Sequence, residues 1–269
     1  MAWLAGIPRR VGYDNHGRSI LLTDHLHHPR DAAGGRLPVP IVESYLKLAR
    51  HVGCPVDSIR LELATTIEDE AGADRALGAL GVSPDEQVVC LNTGGAFGPA
   101  KNWPNGHFSQ LARRLAEELG VRILVLCGPK ERDAAREIVR TAAHPRVVSL
   151  ADQALGIGMT KSCVRRATLL ITTDSGPRHF AAAFGTPVVT LFGPTHIAWT
   201  RTHHPQAWHV FHPVPCGPCQ RPVCPEGHHR CMRELTPDSV FRAARRVLTP
   251  ARAESASVTS VDFEVLGGN

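Results

Sequence analysis

From residue 85 onward the chain alternates short apolar runs with longer stretches of helical rhythm. Residues 88–91, 122–126, 147–150, 169–172 and 188–192 are apolar runs of strand length. Between them, 107–119, 131–142 and 177–184 repeat apolar positions every three or four residues, as a helix with one buried face requires. Short apolar strands separated by helices of roughly 10–15 residues predict a parallel sheet covered on both faces. Residues 85–195 therefore read as one complete doubly wound α/β domain. A last helix is expected at 237–248, basic in character and opened by Thr236-Pro237.

The first 84 residues have a different texture. Arg10-Val11-Gly12-Tyr13 and Ser19-Ile20-Leu21-Leu22-Thr23 read as short extended pieces, and Gly34-Gly35 and Pro38-Val39-Pro40 break the chain. Residues 41–52 have helical spacing, and Gly53 stops them. The polar, acidic segment 65–86 reads as a connector with a short helix around 70–80. One clear helix and a few short strands are too little for an α/β core of their own. The expected organisation is an incomplete N-terminal domain with its linker over 1–84, a complete domain over 85–250 and a flexible tail over 251–269. No repeat of period ~20–50 is present.

Composition narrows the class. The 269 residues, 43% apolar and 20% charged, suit two modest globular domains and exclude a disordered chain. No apolar run reaches the ~18 residues of a membrane span, and the first residues lack a secretory pattern, so a soluble, cytoplasmic protein is expected. The net charge of +5 is uneven: residues 201–250 hold seven Arg and three acids. That suits an anionic ligand, an anionic membrane surface or a solvated basic helix. Nucleic acid is not expected as a partner, because basic residues interleaved with stacking rings are missing.

Three stretches carry candidate chemistry. The first, Leu91-Asn92-Thr93-Gly94-Gly95-Ala96-Phe97-Gly98-Pro99-Ala100-Lys101-Asn102-Trp103-Pro104, puts a Gly-rich loop and a Lys at the end of a strand. Such a loop can turn backbone N–H groups toward a phosphate, although it is neither a Walker A loop nor G-x-G-x-x-G. A plain strand-to-helix loop also fits. The second, Ile171-Thr172-Thr173-Asp174-Ser175-Gly176-Pro177-Arg178-His179, ends a strand and opens a helix. Asp174 or Ser175 can cap that helix, and its N-terminus offers an anion site that His179 can reach. A core role for His179 is the alternative. The third is the spacing Cys-x2-Cys-x4-Cys-x6-Cys at 216, 219, 224 and 231, with His228 and His229 inside it. A structural metal, reduced thiols and disulfides all remain open there. Cys54, Cys90, Cys127 and Cys163 are scattered and are expected to be small core residues.

Taken together, these residues resemble glycosyltransferase family 9, the ADP-heptose:lipopolysaccharide heptosyltransferases. The motifs are Gly98-Pro99-Ala100-Lys101-Asn102-Trp103-Pro104, Gly128-Pro129-Lys130-Glu131 and Thr173-Asp174-Ser175-Gly176-Pro177-Arg178-His179, supported by Ala181-Ala182-Ala183-Phe184-Gly185-Thr186-Pro187 and Leu191-Phe192-Gly193-Pro194-Thr195. The Cys-rich loop leading to Leu235-Thr236-Pro237 is similar to the heptosyltransferase II type.

The resemblance implies a GT-B fold, α/β, of two Rossmann-like domains, here one complete C-terminal domain and an incomplete N-terminal one. It implies inverting transfer of heptose from ADP-heptose to the lipopolysaccharide inner core, with no metal or cofactor required. The acceptor would be met peripherally, at the inner face of the cytoplasmic membrane. By the same resemblance the nucleotide sits on the C-terminal domain, with Thr93, Gly94, Lys101, Glu131, Asp174, Ser175, Gly176 and His179 as donor-binding residues. Lys101 is expected at the phosphates, Glu131 at the ribose, and Asp174, Ser175, Gly176 and His179 beside the diphosphate and sugar. A carboxylate repels a diphosphate, so helix capping or a sugar hydroxyl is the expected role of Asp174.

The family's base-bearing Asp lies on an N-terminal strand and loop that nothing here matches. The general base is therefore unassigned, an N-terminal portion is expected to be missing, and the chain is expected to bind nucleotide better than it catalyses. The alternatives are a related nucleotide-sugar enzyme of the same fold and a catalytically impaired ADP-sugar-binding remnant. The Cys-rich loop is expected to lie away from the chemistry.

Overall fold

The computed structural model describes residues 2–15 and 17–249, together with a strand at 263–265. The chain begins with β1 (Val11–Tyr13), β2 (Asp24–Leu26) and α1 (Ile41–His51). Then come α2 (Ile67–Ala79), β3 (Val88–Asn92), α3 (Asn105–Leu119), β4 (Arg122–Leu126), α4 (Arg132–Ala142) and β5 (Val147–Ser149). The next elements are α5 (Ile157–Arg166), β6 (Leu169–Thr173), α6 (Pro177–Phe184), β7 (Val188–Phe192) and α7 (Ile197–Thr200). The last are β8 (Ala207–Phe211), α8 (Arg230–Arg233), α9 (Pro237–Leu248) and β9 (Phe263–Val265).

Two compact units form. The smaller consists of Met1–Arg60 with Ile197–His203, and the larger of Leu61–His196 with His204–Asn269.

In the larger unit seven strands pair in the order β5-β4-β3-β6-β7-β8-β9, all parallel. Every residue of β3, β6 and β7 is buried, which is why these strands read as unbroken apolar runs rather than alternating ones. Helix α3 packs on α4 and α9, while α5 packs on α2 and α6. On α3, Phe108, Leu111, Ala112, Leu115 and Ala116 are buried, a stripe at the three- and four-residue spacing. The α/β class and the parallel sheet are as the apolar pattern predicts.

Several expectations change. The segment 65–86 is more than a connector: Thr66 and Asp69 form a capping box that starts α2. Arg166 on α5 then grips Glu70 at 2.6 Å and Asp74 at 2.5 Å, and Lys161 reaches Asp69 at 3.1 Å. Burial pushes the Glu70 carboxyl up, but hydrogen bonds from Thr65, Arg166, Arg165 and Ser162 outweigh it and bring it down to about 2. The division near residue 60 therefore precedes the expected boundary at 84, which falls inside the larger unit.

Helix α5 and strands β8 and β9 carry no clean apolar period, so the chain pattern does not predict them. Of the expected tail 251–269, residues 263–265 pair with β8. The remainder of that tail lies outside the described residues.

In the smaller unit β1 and β2 pair in parallel, with Val11 opposite Asp24 and Tyr13 opposite Leu26. The extended piece expected at 19–23 is instead a 3-10 turn over Arg18–Leu21. Tyr13 stacks on His28 with ring centroids 4.1 Å apart and donates its hydroxyl to the Ser44 carbonyl at 2.9 Å.

Candidate functional site

Strand order reverses between β3 and β6, which lie side by side with Asn92 opposite Thr172. At such a reversal the loops leaving the carboxyl ends of the strands diverge and open a crevice. An open cleft of about 900 Å³ lies there, walled by the loops after β3, β4 and β6 and by the first turns of α5 and α6.

Gly94, Glu131, Ser175 and Gly176 line this cleft. Glu131 reaches into it from the turn after β4, where the Gly128 N–H donates to its Oε2 at 2.7 Å. A Cβ on Gly94 would stand 1.6 Å from Glu131 Oε1, so only glycine lets the carboxylate cross the β3 loop.

Asn92 was not anticipated as a site residue. Its Nδ2 lies 3.0 Å from the Gly94 carbonyl, 2.9 Å from Ser175 Oγ and 3.1 Å from Thr172 Oγ1. Two N–H groups shared among three acceptors tie the first loop to the second. A buried amide at the end of an otherwise apolar strand was the signal for it. Leu155, Ile157 and Phe180 give the cleft an apolar wall. Ile157 is 73% exposed there, well outside the core.

Beside Ser175 the chain builds an ion cluster around Asp174, which is 4% exposed. Its carboxylate accepts from Lys101 Nζ at 2.8 Å, Arg178 Nη1 at 3.1 Å and Thr195 Oγ1 at 2.8 Å, and Lys101 Nζ also donates to the Asp174 carbonyl at 2.8 Å. Burial pushes the Asp174 carboxyl up, but the Lys101 and Arg178 charges and the Thr195 hydrogen bond outweigh it and hold the group ionised. Two cations on one carboxylate leave a net positive charge at the start of α6, whose N-terminus adds its own partial charge. The Lys101 ammonium also lies 4.5 Å above the Phe97 ring.

Asp174 is therefore not a helix cap. The N-cap of α6 is Gly176, with no side-chain cap bond, and Ser175 Oγ is engaged with Asn92 and Thr172 instead. Thr93, Lys101, Asp174 and His179 do not line the cleft itself. Thr93 is buried at the end of β3. His179 follows in the first turn of α6, where burial and then the Arg178 charge push its imidazole down, so it is neutral at pH 7.

The Cys-rich loop is not remote from this site. The Ala100 N–H donates to the Pro222 carbonyl at 3.0 Å, and the Gln220 N–H to the Pro194 carbonyl at 2.8 Å. Its four thiols are free. Burial, with the three neighbouring thiols, pushes Cys231 up to about 11. Among the described residues no three His, Cys, Asp or Glu side chains form a metal-holding group. Cys90, Cys127 and Cys163 are buried as expected, but Cys54 is exposed.

The sequence profile of glycosyltransferase family 9 (heptosyltransferase) matches residues 1–230. The chain belongs to this family.

Lipopolysaccharide heptosyltransferase 2 of Escherichia coli K12 is 26% identical to this family 9 chain over 266 residues, covering 93% of it and 72% of the relative. Lipooligosaccharide heptosyltransferase 2 of Campylobacter jejuni is 28% identical over 168 residues, covering 61% of this chain and 52% of the relative. The chain thus matches about half the length of the Campylobacter protein.

Among solved structures, E. coli ADP-heptose lipopolysaccharide heptosyltransferase II superposes with a TM-score of 0.67 at 24% identity, covering 92% of this chain and 72% of that one. A family 9 glycosyl transferase from Veillonella parvula superposes with a TM-score of 0.71 at 21% identity, covering 92% of this chain and 69% of that one. At these identities the likeness is one of fold: the mixed α/β, GT-B-like architecture of the heptosyltransferases.

Proposed function

We propose that this family 9 chain binds ADP-heptose at the β3–β6 crevice and serves the transfer of heptose to the lipopolysaccharide inner core. The carrying observation is the cluster in which Lys101, Arg178 and Thr195 surround Asp174 beside a cleft entered by Glu131. In this reading Glu131 accepts from ribose hydroxyls, and Leu155, Ile157 and Phe180 offer the apolar surface a purine base needs. Lys101 and the N-terminus of α6 face the diphosphate, with His179 as a neutral hydrogen-bonding group nearby.

In the inverting reaction the acceptor hydroxyl oxygen attacks the anomeric carbon, and the carbon–oxygen bond to the β-phosphate breaks. Charge then builds on the departing ADP, where fixed positive groups stabilise it most. The acceptor's proton goes to a base unassigned among these residues. No cofactor beyond the donor is invoked. The lipopolysaccharide acceptor puts the work at the inner face of the cytoplasmic membrane. Among the described residues no helix is long and apolar enough to cross one.

Calorimetry with ADP tests the donor site. Lys101→Ala is expected to weaken binding more than tenfold, the ~1.5–3 kcal/mol of a charge-assisted contact. Unchanged affinity in that variant removes the assignment. Equal affinity for UDP would move the reading to another nucleotide-sugar enzyme of this fold. ADP binding without heptose transfer would leave the site standing and remove the activity.

A further inference from the structure

Each of the two arms that hold Asp174 is preceded in sequence by a glycine against which the Cys-rich loop packs. On the first arm, Gly98 has φ of +142°, and a Cβ there would stand 2.5 Å from the Pro222 carbonyl oxygen. Two residues later the Ala100 N–H donates to that same oxygen at 3.0 Å, and the next residue is Lys101. On the second arm, a Cβ on Gly193 would stand 2.4 Å from Met232 Sδ and 3.2 Å from Cys231 Sγ. The next residue, Pro194, accepts from the Gln220 N–H at 2.8 Å, and Thr195 follows.

Gln220 takes φ of +57°, a left-handed conformation uncommon for a residue with a side chain. Ala100 and Pro194 also share a cavity of about 20 Å³ with all four thiols of the loop, room for no more than one or two waters. The loop thus touches both arms, by backbone hydrogen bonds and by the Cys231 and Met232 side chains, and none of its residues lines the cleft.

We propose that residues 214–232 are a positioning clamp for the donor site. Pro222 and Gln220 fix the spacing of the 98–101 and 193–195 loops, so that Lys101 and Thr195 converge on Asp174 and the Lys101 ammonium is held beside the cleft, where the donor-site reading puts the diphosphate. The consequence rests on the donor-site reading above, and it is specific. Loosening the clamp displaces the phosphate-facing Lys101 but leaves Glu131 and the apolar wall, which sit on other segments. Diphosphate affinity should fall while recognition of base and ribose stays.

The experiment measures ADP and AMP binding by calorimetry on the full chain and on Gly98→Ala, Gly193→Ala and Gly120→Ala. Gly120 is the control for backbone strain alone, with φ of +67° and nothing within 4 Å of an added Cβ. Gly98→Ala and Gly193→Ala should lose about tenfold or more in ADP affinity, as for a charge-assisted contact, and less than about threefold for AMP. Gly120→Ala should keep both. Wild-type ADP affinity in the first two variants, or an equal loss of ADP and AMP, overturns the clamp.

Hydrogen exchange on the unaltered protein judges the clamp even where a variant fails to fold or ADP does not bind. The Ala100 and Gln220 amides should be protected like those of β3. Exchange at the rate of open loops overturns it. Failure of the wild-type chain to bind ADP, with these amides protected, would overturn the donor-site reading and leave the clamp.

Discussion

The two units of this chain are built from similar residue types and reach different ends. In the larger one, Val89, Leu91, Ile123, Leu169, Leu170 and Ile171 are fully buried within a sheet covered on both faces. In the smaller one, Leu26 is the buried apolar residue of the strand pair, while Leu4 is 78% and Ile20 85% exposed. Its contacts are mostly polar: Arg9–Asp24 at 3.0 Å, His27–Asp14 at 2.7 Å, His203–Glu43 at 3.1 Å, and Arg36 lying 4.4 Å over Trp199. Burying a large apolar side chain contributes ~1.5–3 kcal/mol, whereas an exposed ion pair contributes ~0–1 kcal/mol. Contact type, rather than composition, separates a unit with a core from one held together at its surface.

The sharpest way to break this comparison is a pair of truncations. Leu91→Ala in β3 should cost ~2–5 kcal/mol in chemical denaturation, the range for emptying a fully buried site. Ile20→Ala should stay within ~0.5 kcal/mol. Similar costs at both positions would mean that the smaller unit has a core of its own.

Thiol reactivity asks the same question without substitution. Cys54 in the smaller unit is exposed, whereas Cys163 in the larger is 2% exposed, with its thiol pushed up to about 12 by burial. Under native conditions Cys54 should alkylate at least about a hundredfold faster than Cys163, read by mass spectrometry of peptides. Equal rates would mean that the larger unit opens as readily as the smaller one.

A smaller effect lies in the ion pairs that dock α2. The Glu70 carboxyl sits at about 2 in the folded chain against an ordinary 4.5. A lowered carboxyl stabilises the fold fully above the ordinary value and loses that contribution as pH falls toward 2. After discounting for solvent, Glu70→Gln should cost ~1 kcal/mol at pH 6 and progressively less below pH ~4.5. A cost independent of pH in urea unfolding would show that α2 is held by packing alone.

Much of the larger unit was legible in the chain because parallel strands must be apolar on both faces. Runs such as 169–172 and 188–192 declare themselves without any knowledge of their neighbours. Glycines gave the loops away, and the motifs around Lys101, Glu131 and Asp174 gave the family. Helix α5 stayed hidden because its buried Met159, Ser162, Cys163 and Val164 do not make a simple apolar stripe. The capping box at Thr66 and Asp69 was in the sequence, but the helix it opens has few large apolar side chains to mark it.

The site divides the same way. Motifs at strand ends pointed to Gly94, Glu131 and Ser175, which line the cleft, and to Lys101 and Asp174, which pair beside it. How they belong together could not be read there. Asp174 takes its role from Arg178, four residues ahead in the first turn of α6, and from Lys101 and Thr195, which are 73 and 21 residues away. Asn92 ties its own loop to Thr172 and Ser175, 80 and 83 residues away.

By itself the sequence determined strands β3 to β7, most helices, the parallel sheet and the family, since these follow from local periodicity and from loops that a few residue types must build. The tertiary structure decided which cation neutralises which carboxylate, which unit α2 joins, and that the Cys-rich loop packs on the loops carrying Lys101 and Thr195. Those are long-range pairings. They depend on the order and twist of the sheet, which bring distant strand ends within a hydrogen bond of each other, and no local pattern encodes that distance.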